Sequence, residues 1–144
     1  MNLGNPDLAE KHGVLPCDGI GLMREEFIWT TFIHEHPLHL IETGRSDFAV
    51  NTLAEGMRKV CQALAPRQVV VRLSDFKSSE YRDLNGGDKY EPHESSALLG
   101  WRGAARYYDP KYTPAFKLEL EAIKKVRNEF GFKNLQVMIP FCRT

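Results

Sequence analysis

The chain has 144 residues, the size of one ordinary domain, and its 42% hydrophobic and 26% charged residues exclude an intrinsically disordered protein. The formal net charge is zero, so bulk charge favours neither nucleic-acid nor membrane-surface binding, and no apolar run approaches the roughly 20 residues that span a bilayer. Cys17, Cys61 and Cys142 are too far apart for a zinc site or a disulfide framework. We therefore expect a single cytoplasmic domain over residues 1–144, without nucleic-acid or membrane partners.

The first predicted elements are a short helix and a buried strand. Asn5 is a suitable N-cap and Pro6 suits the first helical position, so a short helix is predicted to end near Gly13. Residues 20–23 predict a short buried strand, and Arg24 follows at its end.

A group of histidines and a long helix come next. His34, His36 and His39 lie around Pro37, which breaks the element and leaves no fixed ligand geometry. A solvated connection between helices is therefore predicted here rather than a metal site. From about residue 47 to 65, apolar residues recur at steps of three and four, which predicts an amphipathic helix. Its predicted buried face consists of Val50, Leu53, Met57, Val60 and Leu64.

The strongest strand signal lies at residues 68–72. Three consecutive valines predict a strand that is buried on both faces, as in parallel sheets, and Arg72 stands where the run ends. Ligands of α/β proteins bind at the carboxyl ends of strands, so a guanidinium group there is a candidate anion clamp. The polar segment 74–96 is predicted to be a long loop, and its position after a strand favours a functional role.

The last third of the chain contains a third arginine and one more helix and strand. Arg102 follows Trp101 and precedes a short predicted helix that ends near Tyr107. A longer helix is predicted from Thr113, and a final buried strand at residues 135–139. The predicted buried face of the longer helix consists of Phe116, Leu120, Ile123, Val126 and Phe130.

The order of these elements indicates the fold class. Strands alternate with helices, which predicts an α/β fold with a parallel sheet. Two arrangements fit this pattern. One is a small open sheet, and the other is a partial (β/α)8 TIM barrel with about its first four strands.

Four short motifs, in order, resemble those of the phosphoenolpyruvate (PEP)-utilising enzymes. They are GIGLMREEF at residues 19–27, VVRLSDFKS at 70–78 with GGDKYEP at 86–92, LGWRG at 99–103 and MIPF at 138–141. The resemblance covers essentially the whole chain and is greatest to the branch that makes PEP from pyruvate, ATP and water through a phosphohistidine.

The resemblance implies both a fold and a site. It implies the first half of a C-terminal PEP/pyruvate-binding (β/α)8 barrel domain. It also implies that Arg24, Arg72 and Arg102 bind the phosphoryl and carboxylate groups of the substrate. Glu26, Asp75 and Lys77 lie in the same motifs and are assigned supporting roles. Bidentate guanidinium groups suit this chemistry, because phosphoryl transfer needs fixed positive charge around the transferring oxygens.

The chain also departs from the pattern of this family. Ser96 and Ala97 stand where Asn-Pro is usual, and the connection between residues 27 and 69 is short. The family's Mg²⁺ ligands, catalytic cysteine and phosphohistidine are not matched here, and Cys142 is not that cysteine. We therefore expect a chain that is inactive alone and that associates with a missing second half of the barrel or with itself.

Two other hypotheses stay open. One is a non-catalytic module that binds PEP or another anion through the same three arginines. The other is an unrelated small α/β domain in which the arginines are structural.

Overall fold

Four parallel strands lie side by side in chain order in a computed structural model that describes residues 1–93 and 100–142. They are β1 (Asn2–Leu3), β2 (Gly19–Arg24), β3 (Gln68–Arg72) and β4 (Leu135–Met138). The predicted α/β fold with a parallel sheet is confirmed, and the order β1-β2-β3-β4 is that of the first half of a (β/α)8 barrel. Leu99 of the third motif and the preceding Ser96 and Ala97 lie outside the described residues.

Helices connect successive strands. In chain order they are α1 (Ala9–Gly13), α2 (Glu26–Ile28, continued by a π-turn over Trp29–Ile33), α3 (Pro37–Glu42), α4 (Ser46–Leu64), α5 (Ser78–Asp83), α6 (Ala104–Tyr108) and α7 (Thr113–Lys124). Helix α4 packs against β3, α1 and α7 and forms the centre of the helical layer. Its predicted face is largely confirmed, because Leu53, Met57, Val60 and Leu64 are buried and only Val50 is half-buried. No helix in the described part of the chain is long and apolar enough to cross a membrane.

The segment that follows β3 is not the structureless loop that the sequence predicts. It contains α5 and a single 3-10 turn at Gly87–Lys89. The backbone N–H of Lys77 donates a hydrogen bond of 2.6 Å to Glu80 Oε2, which stabilises the start of α5. The polar composition of this segment predicts a loop because it gives no periodic apolar pattern, while the helix depends on the local cap.

The predicted buried face of α7 is partly wrong. Leu120 is 42% exposed and Phe130 is also exposed, whereas Leu118, Glu119 and Ala122 are buried. Small alanines face the interior and bring the helix close to its neighbours, so the buried stripe is rotated relative to the large apolar residues. This rotation carries Glu119 into the core.

Two carboxyl groups are buried at the carboxyl end of the sheet. Glu25 and Glu119 are both 0% exposed. Glu119 accepts hydrogen bonds from the Ser74 backbone N–H, at 3.3 Å, and from the Ser74 hydroxyl. Neither carboxyl oxygen of Glu25 has a hydrogen-bond partner among the described residues. Burial raises the pKa of Glu25 well above its ordinary value and, despite the Ser74 hydrogen bonds, the pKa of Glu119 to about 7.

Gly103, the residue after Arg102, packs closely against Pro140 and Phe141, which follow β4. Its φ of +67° and ψ of −145° are accessible essentially to glycine alone. A Cβ atom at this position would also clash with the Cβ of Phe141 and lie 2.8 Å from the Pro140 carbonyl oxygen. The next residue, Ala104, donates its backbone N–H to that carbonyl at 3.2 Å.

Gly103→Ala is expected to lower the free energy of unfolding by at least ~2 kcal/mol, because backbone strain adds to overpacking. Gly44→Ala is the matched control, since Gly44 also has positive φ but nothing lies within 4 Å of its added Cβ. The control should lose only about 1 kcal/mol. Urea denaturation of both variants measures the difference, and equal losses would contradict the steric argument.

Glu119→Gln is expected to make the stability of the protein less dependent on pH. The folded-state pKa of Glu119 lies above the ordinary value, so between pH 4.5 and about 7 the folded state binds more protons than the unfolded state. The free energy of unfolding of the wild type therefore falls as pH rises through this window. From pH 5 to pH 8, the free energy of unfolding should therefore fall by roughly 1–3 kcal/mol less in the variant than in the wild type.

Denaturation at the two pH values tests this expectation. Glu121→Gln on the exposed side of α7 serves as the control and should leave the pH dependence unchanged. A Glu119→Gln variant with the same pH dependence as the wild type would show that this carboxyl does not titrate as described.

Candidate anion-binding site

The register of the sheet places two of the predicted arginines next to each other. In the parallel pairing of β2 with β3, Arg24 lies opposite Arg72, and both stand at the carboxyl ends of their strands. Arg102 approaches from the segment before α6. All three arginines line one open cleft of about 320 Å³. The other lining residues are Glu26, Phe27, Thr30, Asp75, Phe76, Lys77 and Glu80.

Two carboxylates hold the guanidinium groups of Arg72 and Arg102 in place. Glu26 Oε1 accepts a hydrogen bond from Arg72 Nη2 at 2.7 Å and another from the Asp75 backbone N–H at 3.0 Å. Asp75 binds Arg102 through two oxygens, with Nε to Oδ1 at 2.8 Å and Nη2 to Oδ2 at 3.1 Å. Asp75 Oδ2 also lies 3.9 Å from Arg72 Nη1. The result is a continuous chain of charges from Glu26 to Arg102.

The hydrogen bonds to Asp75 raise the pKa of Arg102 above its ordinary value. Its guanidinium carbon also lies 4.4 Å from the centroid of the Phe141 ring, a cation–π contact. Arg102 is therefore fixed by both an ion pair and an aromatic ring.

Arg24 and Lys77 differ from the other cations because both are exposed. The guanidinium carbon of Arg24 lies 5.2 Å from the centroid of the Phe27 ring. Within residues 1–93 and 100–142, Arg24 and Lys77 have no carboxylate within ion-pair distance. These two side chains are the cleft cations whose charge no described carboxylate compensates directly.

The cleft contains nearly balanced charges. Its lining includes four cations, Arg24, Arg72, Lys77 and Arg102, and three carboxylates, Glu26, Asp75 and Glu80, which leaves one formal positive charge. An incoming dianion would therefore bind to the exposed cations and compete with Asp75 for the arginines. Of the three predicted supporting residues, Glu26 and Asp75 pair with Arg72 and Arg102, which the sequence does not predict, and Lys77 does not pair with an arginine.

A divalent metal ion does not fit the residues described. In the parts of the chain that the structure describes, no group of three or more histidine, cysteine, aspartate or glutamate side chains is arranged to hold a metal. The carboxylates nearest the arginines, Glu26 and Asp75, are engaged with guanidinium groups. The expectation that Mg²⁺ ligands lie elsewhere in the full-length family stays a prediction.

A buried ion cluster that sequence reasoning missed lies close to the cleft. It consists of His36, Glu91 and Arg106. The prediction that residues 34–39 form a solvated connection is wrong for His36, which is 0% exposed and caps α3 through Nδ1. The sequence signal for the cluster is Glu91, which lies in the GGDKYEP motif at residues 86–92.

Comparison with known proteins identifies the family. The family model described as "PEP-utilising enzyme, PEP-binding domain" matches residues 1–144. A "Probable phosphoenolpyruvate synthase" of Staphylothermus marinus is 60% identical over 144 residues, which is 100% of this chain and 17% of the relative. The phosphoenolpyruvate synthases of Aeropyrum pernix and Escherichia coli K12 are 55% and 43% identical over the whole chain and 18% and 21% of their own lengths.

The chain spans about a fifth of the length of the curated relatives it matches. The match over every residue confirms the resemblance that the four motifs indicate. The chain belongs to the family of PEP-utilising enzymes, and the part of that family to which it corresponds is the PEP-binding domain.

Proposed function

We propose that the chain is the PEP- and pyruvate-binding part of a phosphoenolpyruvate synthase (pyruvate, water dikinase). That enzyme converts pyruvate, ATP and water to PEP, AMP and phosphate through a phosphohistidine. The observation that carries the proposal is the convergence of Arg24, Arg72 and Arg102 on one cleft at the carboxyl end of the parallel sheet. The names of the relatives support the same substrate.

The cleft has the chemistry to bind a small metabolite with two acidic groups. Guanidinium forks form paired hydrogen bonds with phosphoryl and carboxylate oxygens, and they stay charged at all physiological pH values. Arg24 and Lys77 offer uncompensated charge at the cleft, whereas Arg72 and Arg102 are preoriented by Glu26 and Asp75. Ligand oxygens that replace Asp75 on Arg102 would form the same bidentate contact that the structure shows.

Only substrate binding is assigned to these residues. The Mg²⁺ site, the catalytic cysteine and the phosphohistidine are proposed to belong to other parts of a full-length, cytoplasmic enzyme. The isolated chain is then expected to bind substrate without turning it over. A non-catalytic anion-binding module is the second candidate, and the same cleft supports it.

The edge of the sheet formed by β4 carries exposed apolar side chains, which supports the expectation of a further protein partner. Val137 is 41% exposed and Ile139 is 51% exposed, and Met138 and Phe141 are also exposed. In the described part of the chain, β4 pairs with β3 alone. An apolar strand with one free edge favours pairing with another strand. We propose that this edge contacts the second half of the barrel, or another copy of the chain when that half is missing.

Arg72→Ala is expected to weaken PEP binding at least tenfold, because it removes a charged donor from the centre of the cleft. Isothermal titration calorimetry of the chain with PEP measures the affinity. Arg58→Ala is the control, since Arg58 pairs with Glu55 on the exposed side of α4, away from the cleft.

Wild type that binds PEP, together with a weakened Arg72→Ala variant, supports the arginine clamp. Equal affinities of the two proteins would exclude the clamp. Absence of PEP binding by wild type would show that the isolated chain has no functional pocket.

Val137→Lys is expected to reduce self-association of the isolated chain, because a charge on β4 opposes edge pairing. Light scattering over a concentration series measures the mass of the assemblies. Gln62→Lys adds the same charge on the exposed side of α4 and should change nothing. A wild-type chain that is a monodisperse monomer with high thermal stability would contradict the proposed association.

A further inference from the structure

Arg106 is buried close to the candidate site, although it does not line the cleft. Its side chain is 1% exposed, and its guanidinium group donates to both carboxylate oxygens of Glu91, with Nη1 to Oε2 at 2.8 Å. The guanidinium carbon lies 3.6 Å, 4.0 Å and 4.3 Å from the ring centroids of Tyr81, Tyr112 and Trp101. A desolvated cation is tolerated here because one carboxylate and three aromatic rings surround it.

His36 completes the buried ion cluster in a defined protonation state. Its Nδ1 accepts the backbone N–H of Leu38 at 3.1 Å, so this nitrogen carries no proton. Nε2 therefore carries the proton and donates it to Glu91 Oε1 at 2.7 Å. Burial lowers the pKa of His36, which agrees with a neutral ring. Burial opposes ionisation of Glu91, but its hydrogen bonds with Arg106 and His36 lower its pKa overall. The cluster as a whole is neutral.

Two short routes connect Arg106 to the ion pair between Arg102 and Asp75. In the first, Arg106 Nη1 lies 3.4 Å from the carbonyl oxygen of Trp101, the residue before Arg102. In the second, Arg106 packs on the ring of Tyr81, whose hydroxyl lies 2.9 Å from Ser74 Oγ. Ser74 directly precedes Asp75. Arg102 therefore follows Trp101, which Arg106 contacts directly, and Asp75 follows Ser74, which Arg106 contacts through Tyr81.

We propose that Arg106 is a positioning residue that fixes the residues preceding Arg102 and Asp75, so that the Arg102 guanidinium stays at the cleft, where an anionic ligand can take the place of Asp75. Arg106 acts through the backbone of Trp101 and through Tyr81 and Ser74, and it does not itself touch the ligand. The consequence for ligand affinity rests on the proposed function. The consequence for the position of Arg102 does not, so the two can be measured separately.

Arg106→Lys tests the role because it keeps the charge and removes the bidentate fork. In the ligand-free 144-residue chain, phenylglyoxal modification followed by peptide mass spectrometry gives the reaction rate of each arginine. We expect the rate at Arg102, relative to the exposed Arg24 in the same sample, to rise at least threefold. Calorimetry with PEP should show a dissociation constant about tenfold higher. Arg58→Lys is the matched control and should change neither quantity, because its pair with Glu55 is exposed.

Each outcome decides the proposal. A folded Arg106→Lys variant whose Arg102-to-Arg24 rate ratio is unchanged overturns it, even if the variant melts at a lower temperature, because that is the result of a purely structural role. If circular dichroism shows that Arg106→Lys does not fold, Glu91→Gln replaces it, with the same expected rise in the ratio and the same overturning result. If the wild type does not bind PEP, the proposed function fails while the ratio still tests the positioning role.

Discussion

The parallel register between β2 and β3 is the constraint on which the site depends. It places Arg24 opposite Arg72 at the same edge of the sheet. Like charges directly opposite each other on neighbouring strands repel, so this arrangement needs compensation. Glu26 supplies part of it, since its carboxylate receives Arg72 and the Asp75 backbone N–H together. Asp75 extends the compensation to Arg102. Arg72 and Arg102 are thereby held in place at an open cleft, whereas Arg24 stays exposed beside them.

Buried polar groups hold the backbone next to Asp75 and Arg102. Glu119 holds the backbone and hydroxyl of Ser74, and the Ser74 carbonyl oxygen accepts the Tyr107 hydroxyl at 2.5 Å. The buried ion cluster of His36, Glu91 and Arg106 joins the start of α3 to Glu91 and α6. Buried charges are unfavourable unless they are paired and hydrogen-bonded, and apolar side chains would often give equal stability. Their concentration behind one cleft is therefore better explained by positioning than by stability.

The family match and the geometry of the cleft are two independent observations. The match to the PEP-binding domain covers the whole chain, and the relatives are several times longer than the chain. The cleft contains four cations, and the described residues hold no cluster that would bind a metal. The exposed apolar side chains of β4 agree with the partner that we propose for this edge of the sheet.

The local pattern of the chain predicts strands β2, β3 and β4, helices α1, α4, α6 and α7, and the arginines at the ends of β2 and β3. The valines before Arg72 and the helical periodicity of α4 depend on neighbours within a few residues, so sequence spacing reveals them. The rotated face of α7, the burial of His36 and the helical turn after Ser78 were not predicted. The first two depend on packing against segments far away in the chain, as when His36 contacts Glu91. The helix at Ser78 instead depends on a local cap between Lys77 and Glu80 within a polar segment.

The sequence by itself determined which residue types stand at the ends of the strands and, through four motifs, the family. Only the tertiary structure decided that Glu26 and Asp75 pair with Arg72 and Arg102, and that Arg106 is buried against aromatic rings. The physical reason is that hydrophobic periodicity is a property of adjacent residues. The state of a charge depends on which distant carboxylates and rings the fold brings within a few ångströms of it.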